Sequence, residues 1–209
     1  MILPTRPHSD RRPPRDIPMP GGLPQGLARG RVHEFCGPAR VTLALMLLAQ
    51  TQGPVIWIMP AWLPERPYAC GIQTFLHPGR LIFARVRRPD DMQWAMEEAL
   101  RSGAAPVVLA DMPAPPGLTP VRRLHLAAEA GGTLAHHAGR PAPLGLLLSP
   151  AEGGAQGVDS RWSLAPAPSP STLIPDSGLH WRLDLLRARS TPPTHWTLTQ
   201  SATGTIQTA

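Results

Sequence analysis

Apolar positions along the chain follow two rhythms. Residues 54–59 (PVIWIM), 106–110 (PVVLA) and 144–149 (LGLLLS) are short runs with scarcely a polar break, the pattern of strands buried on both faces of a parallel sheet. Residues 31–36 and 80–86 read as two further strands. Helical segments alternate with them. Residues 41–50 are apolar on nearly every side, which predicts a helix enclosed by other elements. In a second helix Met92, Ala95, Met96, Ala99 and Leu100 form one face, Asp90 is placed to cap, Gln93 follows at capping-box spacing, Glu97 and Arg101 form an exposed i, i+4 pair, and Gly103 ends it. A third helix over 121–130 is started by Thr119 and Pro120 and stopped by Gly131 and Gly132. From residue 160 the rhythm becomes the alternation of half-exposed strands, over 160–165, 179–187 and 195–199, with Leu179, Trp181, Leu183 and Leu185 on one face. The predicted fold is α/β: a mostly parallel central sheet flanked by helices, with antiparallel strands at the C-terminal end.

Composition sets the limits of that domain. The 209 residues suit one domain with tails. The 28 prolines concentrate near the start and in 166–175. Residues 1–29 carry Arg6, Arg11, Arg12, Arg15 and Arg29 among prolines, and are expected to be a disordered arm. The core domain is placed at 30–199 and a flexible polar tail at 200–209. All 20 basic residues are arginine, so no lysine exists for a Schiff base or a phosphate loop. A net charge of +6 permits contact with DNA without assigning it. Cys36 and Cys70 lack metal or disulfide spacing and read as buried thiols. His136 and His137, in a predicted loop, have no companion ligands, and no G-x-S-x-G elbow occurs. Trp162, Trp181 and Trp196 read as packing residues, and Arg122 and Arg123 as a solvated helix face. With no membrane-length apolar run and no secretion-type leader, a cytoplasmic protein with no membrane contact is expected.

Strand, glycine turn and apolar helix are the layout of a phosphate-binding loop. The words GGLPQG at 21–26 and GRVHEFCGP at 30–38 resemble the approach to the nucleotide site in the RecA family. That family continues with glycine, lysine and threonine, whereas here Gly37, Pro38, Ala39 and Arg40 lead directly into the helix. The loop is about three residues short of the motif, with Arg40 at the lysine position and Val41 at the magnesium-binding hydroxyl. Trp62 stands where the family has its water-positioning glutamate, and RSGAAPVVLAD at 101–111 resembles the segment bearing the second nucleotide-site aspartate, here Asp111. GGAQGVDSRWSLA at 153–165 is similar to the end of the DNA-binding loop. Arg187 and Arg189 fall where two lysines reach a neighbouring subunit's nucleotide. WAMEEALRSGA at 94–104 and VRRLHLAA at 121–128 resemble ImuA, a RecA-like accessory protein of bacterial mutagenesis cassettes, in its short form with a degenerate phosphate loop.

The resemblance implies a RecA-like frame whose nucleotide site at Gly37, Pro38, Ala39, Arg40 and Asp111 is degenerate, with no catalytic residue, metal or cofactor. Arginine is no simple substitute for the loop lysine, because its fork is longer and flatter. Asp111 reads either as a metal ligand or as a turn or capping residue. Arg187 and Arg189 read either as a contact with a neighbour or as edge-strand charges. The implied role is an adaptor in SOS-induced translesion synthesis and damage-induced mutagenesis, binding RecA, an ImuB-type Y-family polymerase homologue, or both, within an error-prone polymerase complex. Two alternatives stand beside it: a cell-division inhibitor like SulA, a more distant relative, and a residual DNA-dependent ATPase using Arg40 and Asp111.

Overall fold

The computed structural model describes residues 16–65, 67–168, 178–201 and 204–208. The expected arm over 1–15 lies outside them. In chain order the elements are β1 (Ile17–Pro18), β2 (Gly26–Leu27), β3 (Val32–Cys36), α1 (Arg40–Leu48), β4 (Val55–Pro60), α2 (Ala69–Gln73), β5 (Leu81–Val86), α3 (Pro89–Arg101), β6 (Val107–Asp111), α4 (Leu118–His137), β7 (Leu144–Leu148), β8 (Ser160–Ala167), β9 (Leu179–Ala188), β10 (Thr194–Gln200) and β11 (Ile206–Thr208). Nine strands form one sheet in the order β11-β10-β9-β8-β3-β7-β6-β4-β5. The pairs from β8 through β5 are parallel, and those from β8 outward to β11 are antiparallel. The fold is therefore mixed α/β, a large mostly parallel sheet flanked by helices and extended by antiparallel strands.

Side-chain alternation divides the core between two faces. Val107 and Leu109 of β6, with Leu144, Leu146 and Leu148 of β7, join Leu43, Leu47 and Trp57 in the cluster around α1. Val108 and Ala110, with Leu147, point the other way and meet Met92, Met96 and Leu100 of α3 and Val121 and Leu124 of α4. Each strand fills two cores, which is why the runs carry no polar alternation. At the antiparallel end Leu183 and Leu185 are buried, Trp181 packs against the core and Leu179 is exposed. Trp162 stacks on Trp196 with ring centroids 5.8 Å apart.

Several local expectations are corrected by tertiary contacts. Residues 16–29 are folded: β1 and β2 form an antiparallel ribbon whose Ile17, Met19, Leu23 and Leu27 are buried in the α1-side core. Four apolar side chains at such spacing offset the ordering of a short proline-rich segment. Within the expected tail at 200–209, the described residues are not free, since Gln200 pairs with Ile206 and the Thr208 hydroxyl donates to the Gly21 carbonyl. Arg88 occupies the N-cap position of α3, with Pro89 in the first turn and Asp90 and Asp91 just inside it, where their charges favour the helix N-terminus. Glu97 is buried between α3 and α4, held by Arg101 at 2.5 Å and by Arg123 of α4 at 2.9 Å, so neither Glu97 nor Arg123 belongs to a purely solvated face. Cys36 is buried but Cys70 is exposed.

The largest departure is α4, which runs through Gly131 and Gly132 to His137, so His136 and His137 end a helix. Gly131 is a contact point and not a stop. A Cβ there would lie 1.9 Å from the Leu100 carbonyl oxygen of α3. The absence of a side chain lets the two helices touch backbone to backbone. Gly131→Ala is expected to destabilise the fold by about 2 kcal/mol or more, read as a fall in Tm. Gly132→Ala, whose Cβ would meet the Ala142 Cβ at 3.2 Å, is expected to be near neutral, because gained helix propensity offsets a small adjustment.

Candidate functional site

Strand β3 ends in a turn that glycine alone fits. Gly37 has φ 81, and a Cβ there would lie 2.6 Å from the Ser163 hydroxyl and 2.8 Å from the Leu164 carbonyl of β8. A phosphate loop works by leaving successive backbone N–H groups free for the anion. Here they are committed within the chain. The Gly37 amide donates to the Ala151 carbonyl at 2.8 Å, the Ala39 amide to the Leu164 carbonyl at 3.0 Å, and the Arg40 amide to the Gly37 carbonyl at 3.3 Å. Pro38 has no N–H to offer.

The fold does bring Arg40 and Asp111 together. Arg40 opens α1, Asp111 closes β6, and an Arg40 guanidinium nitrogen stands 3.9 Å from the carboxylate. Burial raises the Asp111 pKa, Arg40 opposes that shift, and Glu65 adds to it. The pair lines a cavity of about 420 Å³ whose walls include Val41, Trp57, Met59, Leu63 and Pro67. A second cavity of about 220 Å³ lies next to it between Phe83 and Arg85, sharing Met59, Glu65 and Pro67. Trp62 is well exposed at the end of β4. Two carbonyls of the turn after β4, those of Ala61 and Leu63, accept from Arg85, which braces that turn. Among the described residues no group of three or more His, Cys, Asp and Glu is placed to hold a metal ion.

Behind the turn lies a buried polar framework that sequence reasoning missed. Glu34 of β3 is fully buried. Its carboxylate accepts from the Gly154 and Ala155 amides at 3.0 and 3.1 Å and from Arg161 Nε at 2.5 Å, while Arg161 also donates to the Ala155 carbonyl. A charged residue inside VHEFC was the available signal. On the other side of β3, His33 Nδ1 lies 2.7 Å from the Ser160 hydroxyl and Nε2 lies 3.1 Å from the Ala28 carbonyl. Trp162 Nε1 donates to the same hydroxyl. His125 of α4 joins the Val32 amide to the Gly157 carbonyl.

Arg187 and Arg189 stand elsewhere. Residue 188 of antiparallel β9 pairs with Ser160, the first residue of β8, so the end of β9 lies at the sheet edge opposite Gly37 and Asp111. Arg189 pairs with Asp159 at 3.1 Å, and Arg187 lies across from Arg161. The sequence-derived residues thus form two patches on opposite edges.

Two expected outcomes follow from the buried groups. Burial pushes the His33 pKa down to about 4 from 6.5, so folding holds it neutral. As pH falls the unfolded chain takes up the proton first. The contribution of His33 is therefore complete above about pH 6.5 and is lost as pH falls towards 4. His33→Gln should flatten that part of a Tm-against-pH curve. Glu34→Ala, which strands the Arg161 charge, should cost about 3–5 kcal/mol and raise amide exchange in residues 153–157.

No protein-family profile matches the chain, and no curated protein matches it. Among solved structures it is similar to SulA from Pseudomonas aeruginosa, with 18% identity over 56% of this chain and 98% of that one, at a TM-score of 0.43.

Proposed function

We propose that the protein is a non-catalytic, RecA-like accessory protein of SOS-induced translesion synthesis, belonging with the short ImuA forms and binding RecA, an ImuB-type polymerase homologue, or both. The observation that carries this reading is the state of the turn at 37–40. Its glycine is kept, yet its backbone donors are bonded to Ala151, Leu164 and Gly37 itself. An anion would have to displace bonds already made, without a lysine and with Val41 at the hydroxyl position. The surrounding arrangement of parallel strands and apolar helix stays intact, which supports a frame retained for contact. Arg187 and Arg189, at the opposite edge, are proposed for partner contact, beside the other reading that they are edge-strand charges. Among the described residues no helix is long and apolar enough to cross a membrane.

The immobilised protein is expected to retain purified RecA or the ImuB-type homologue in a pull-down, and a deletion strain to lose damage-induced mutations. Retention of neither partner, or an unchanged mutation frequency, would sink the reading. Filamentation on overexpression that persists without the polymerase would point instead to a SulA-like inhibitor. A shift in a nucleotide-analogue binding assay would restore the ATPase alternative.

A further inference from the structure

The two edges of the nine-stranded sheet are guarded unequally. Strand β11 closes one edge with three residues, and its Thr208 is tied to Gly21 of the ribbon. Strand β5 closes the other with the six residues LIFARV and has β4 on one side only. The Val86 carbonyl accepts from the Ala61 amide at 2.8 Å, so Val86, and with it Ala84 and Ile82, turns its peptide groups towards β4. Successive residues of a strand alternate in this direction, which leaves the N–H and C=O groups of Phe83 and Arg85 pointing out from the sheet. Among the described residues no backbone group on that side bonds to them. Such an edge is a template for another strand, and proteins block it with proline, lysine or a bulge. Residues 81–86 hold no proline, the chain has no lysine, and the pairing of β5 with β4 runs without a register shift.

The side chains say which strand fits. Leu81 and Phe83 share the α1 face, where Leu81 is buried and the Phe83 ring lies 5.8 Å from that of Trp57. Ala84 and Val86 pack on the α3 face, and Ile82 shares it by alternation. Ile82 and Phe83 remain 54% and 45% exposed. Residues directly opposite in an antiparallel pair lie on one face of the sheet. About a two-fold axis at Ala84, β5 therefore meets its own copy with Ile82 opposite Val86 on the α3 face and Phe83 opposite Arg85 on the α1 face. Both exposed apolar side chains gain a partner, the guanidinium meets an aromatic ring, and no arginine of the strand faces another. Phe83 and Arg85 are also the residues with outward peptide groups, so as an opposed pair they exchange both amide-to-carbonyl bonds. Beyond the strand Arg80 falls opposite Arg88, but the Arg80 guanidinium is turned inward, donating to the Gly53 and Leu48 carbonyls and the Thr51 hydroxyl. This match of the edge to itself names a second copy as the occupant.

We propose that two copies of this chain associate through β5, antiparallel about a two-fold axis at Ala84, so that their sheets join into one. Main-chain bonds supply the grip, and the Ile82–Val86 and Phe83–Arg85 pairs fix the register. The inference goes beyond the accessory-protein reading and does not rest on it. Strand β9 lies towards the other edge of the sheet, so the pairing leaves Arg187 and Arg189 uncovered on both copies.

The test is analytical ultracentrifugation of the full chain over a range of concentrations, in which the wild type is expected to reach the mass of two chains. Ile82→Lys places a charge at an exposed position opposite Val86, and Phe83→Pro removes an outward N–H that β4 does not use. The axis applies each change twice, so each should raise the dissociation constant about tenfold or more, with an unchanged circular-dichroism spectrum. Leu126→Lys, on the exposed side of α4, should leave the constant where it was. Under mild oxidation Ala84→Cys in a Cys70→Ser background should link two chains, because Cβ atoms opposed at the axis lie about 4.5–5.5 Å apart, whereas Leu126→Cys in the same background should not. A single-chain mass at every concentration, a dissociation constant unmoved by both Ile82→Lys and Phe83→Pro, or no linkage through Ala84→Cys would each overturn the proposal. Amides of 83 and 85 that gain protection from exchange only when RecA or the ImuB-type homologue is added would give the edge to a different strand and overturn it equally.

Discussion

The carboxylate of Glu34, held without solvent between β3 and the loop before β8, is the constraint from which the neighbouring geometry follows. An ionised group taken out of water is tolerated only when its oxygens are fully answered, and here two backbone amides and one guanidinium answer them. That requirement draws the 153–157 loop against β3 and sets Glu34 opposite Arg161 in the parallel pairing of β3 with β8. Gly153 is close enough that a Cβ would meet the carboxylate at 2.9 Å. Once β8 is in this register, Ser163 and Leu164 close over Gly37, and Leu164 takes the Ala39 amide. The contact that orders the glycine-rich loop also closes the turn at Gly37.

The two sheet edges then acquire different characters. The carboxyl edge carries apolar walls, with Arg40 and Asp111 as a loose pair among them. The amino edge is polar and internally bonded, with His33, Ser160, Asp159 and Arg189 tied into the chain. Every Lys-or-Arg position of the chain is arginine, and eight histidines stand beside them. Two of these, His33 and His125, are pushed down by burial and serve as neutral linkers.

Elements whose pattern is set by burial on both faces were legible in the sequence. The strand, Gly37 turn and α1 succession, the apolar runs of β4, β6 and β7 and the alternating strands at the end all appear where their periodicity puts them. Features decided by distant contact were not. Gly131 reads locally as a helix stop, and its use depends on Leu100 passing beside it. Residues 16–29 read as an arm because prolines dominate, while the surface that buries Met19 and Leu27 comes from elsewhere in the chain. Of the candidate site, Arg40 and Asp111 were picked out through the family resemblance of residues 30–38 and 101–111. Glu65, Leu63 and Pro67 belong to a segment without periodicity, so nothing local announces that they complete a cavity with Phe83.

The clasp between Gly21 and Thr208 bridges 187 positions of sequence. Its consequence is one of timing. The β1–β2 ribbon is synthesised before β10 and β11, against which Gly21 packs through Leu198 and Thr208. Contacts of such long range close late, after the loop entropy between them has been spent. During translation the Gly21 clasp therefore waits for the strands made last, and until they arrive this end of the ribbon is left uncovered.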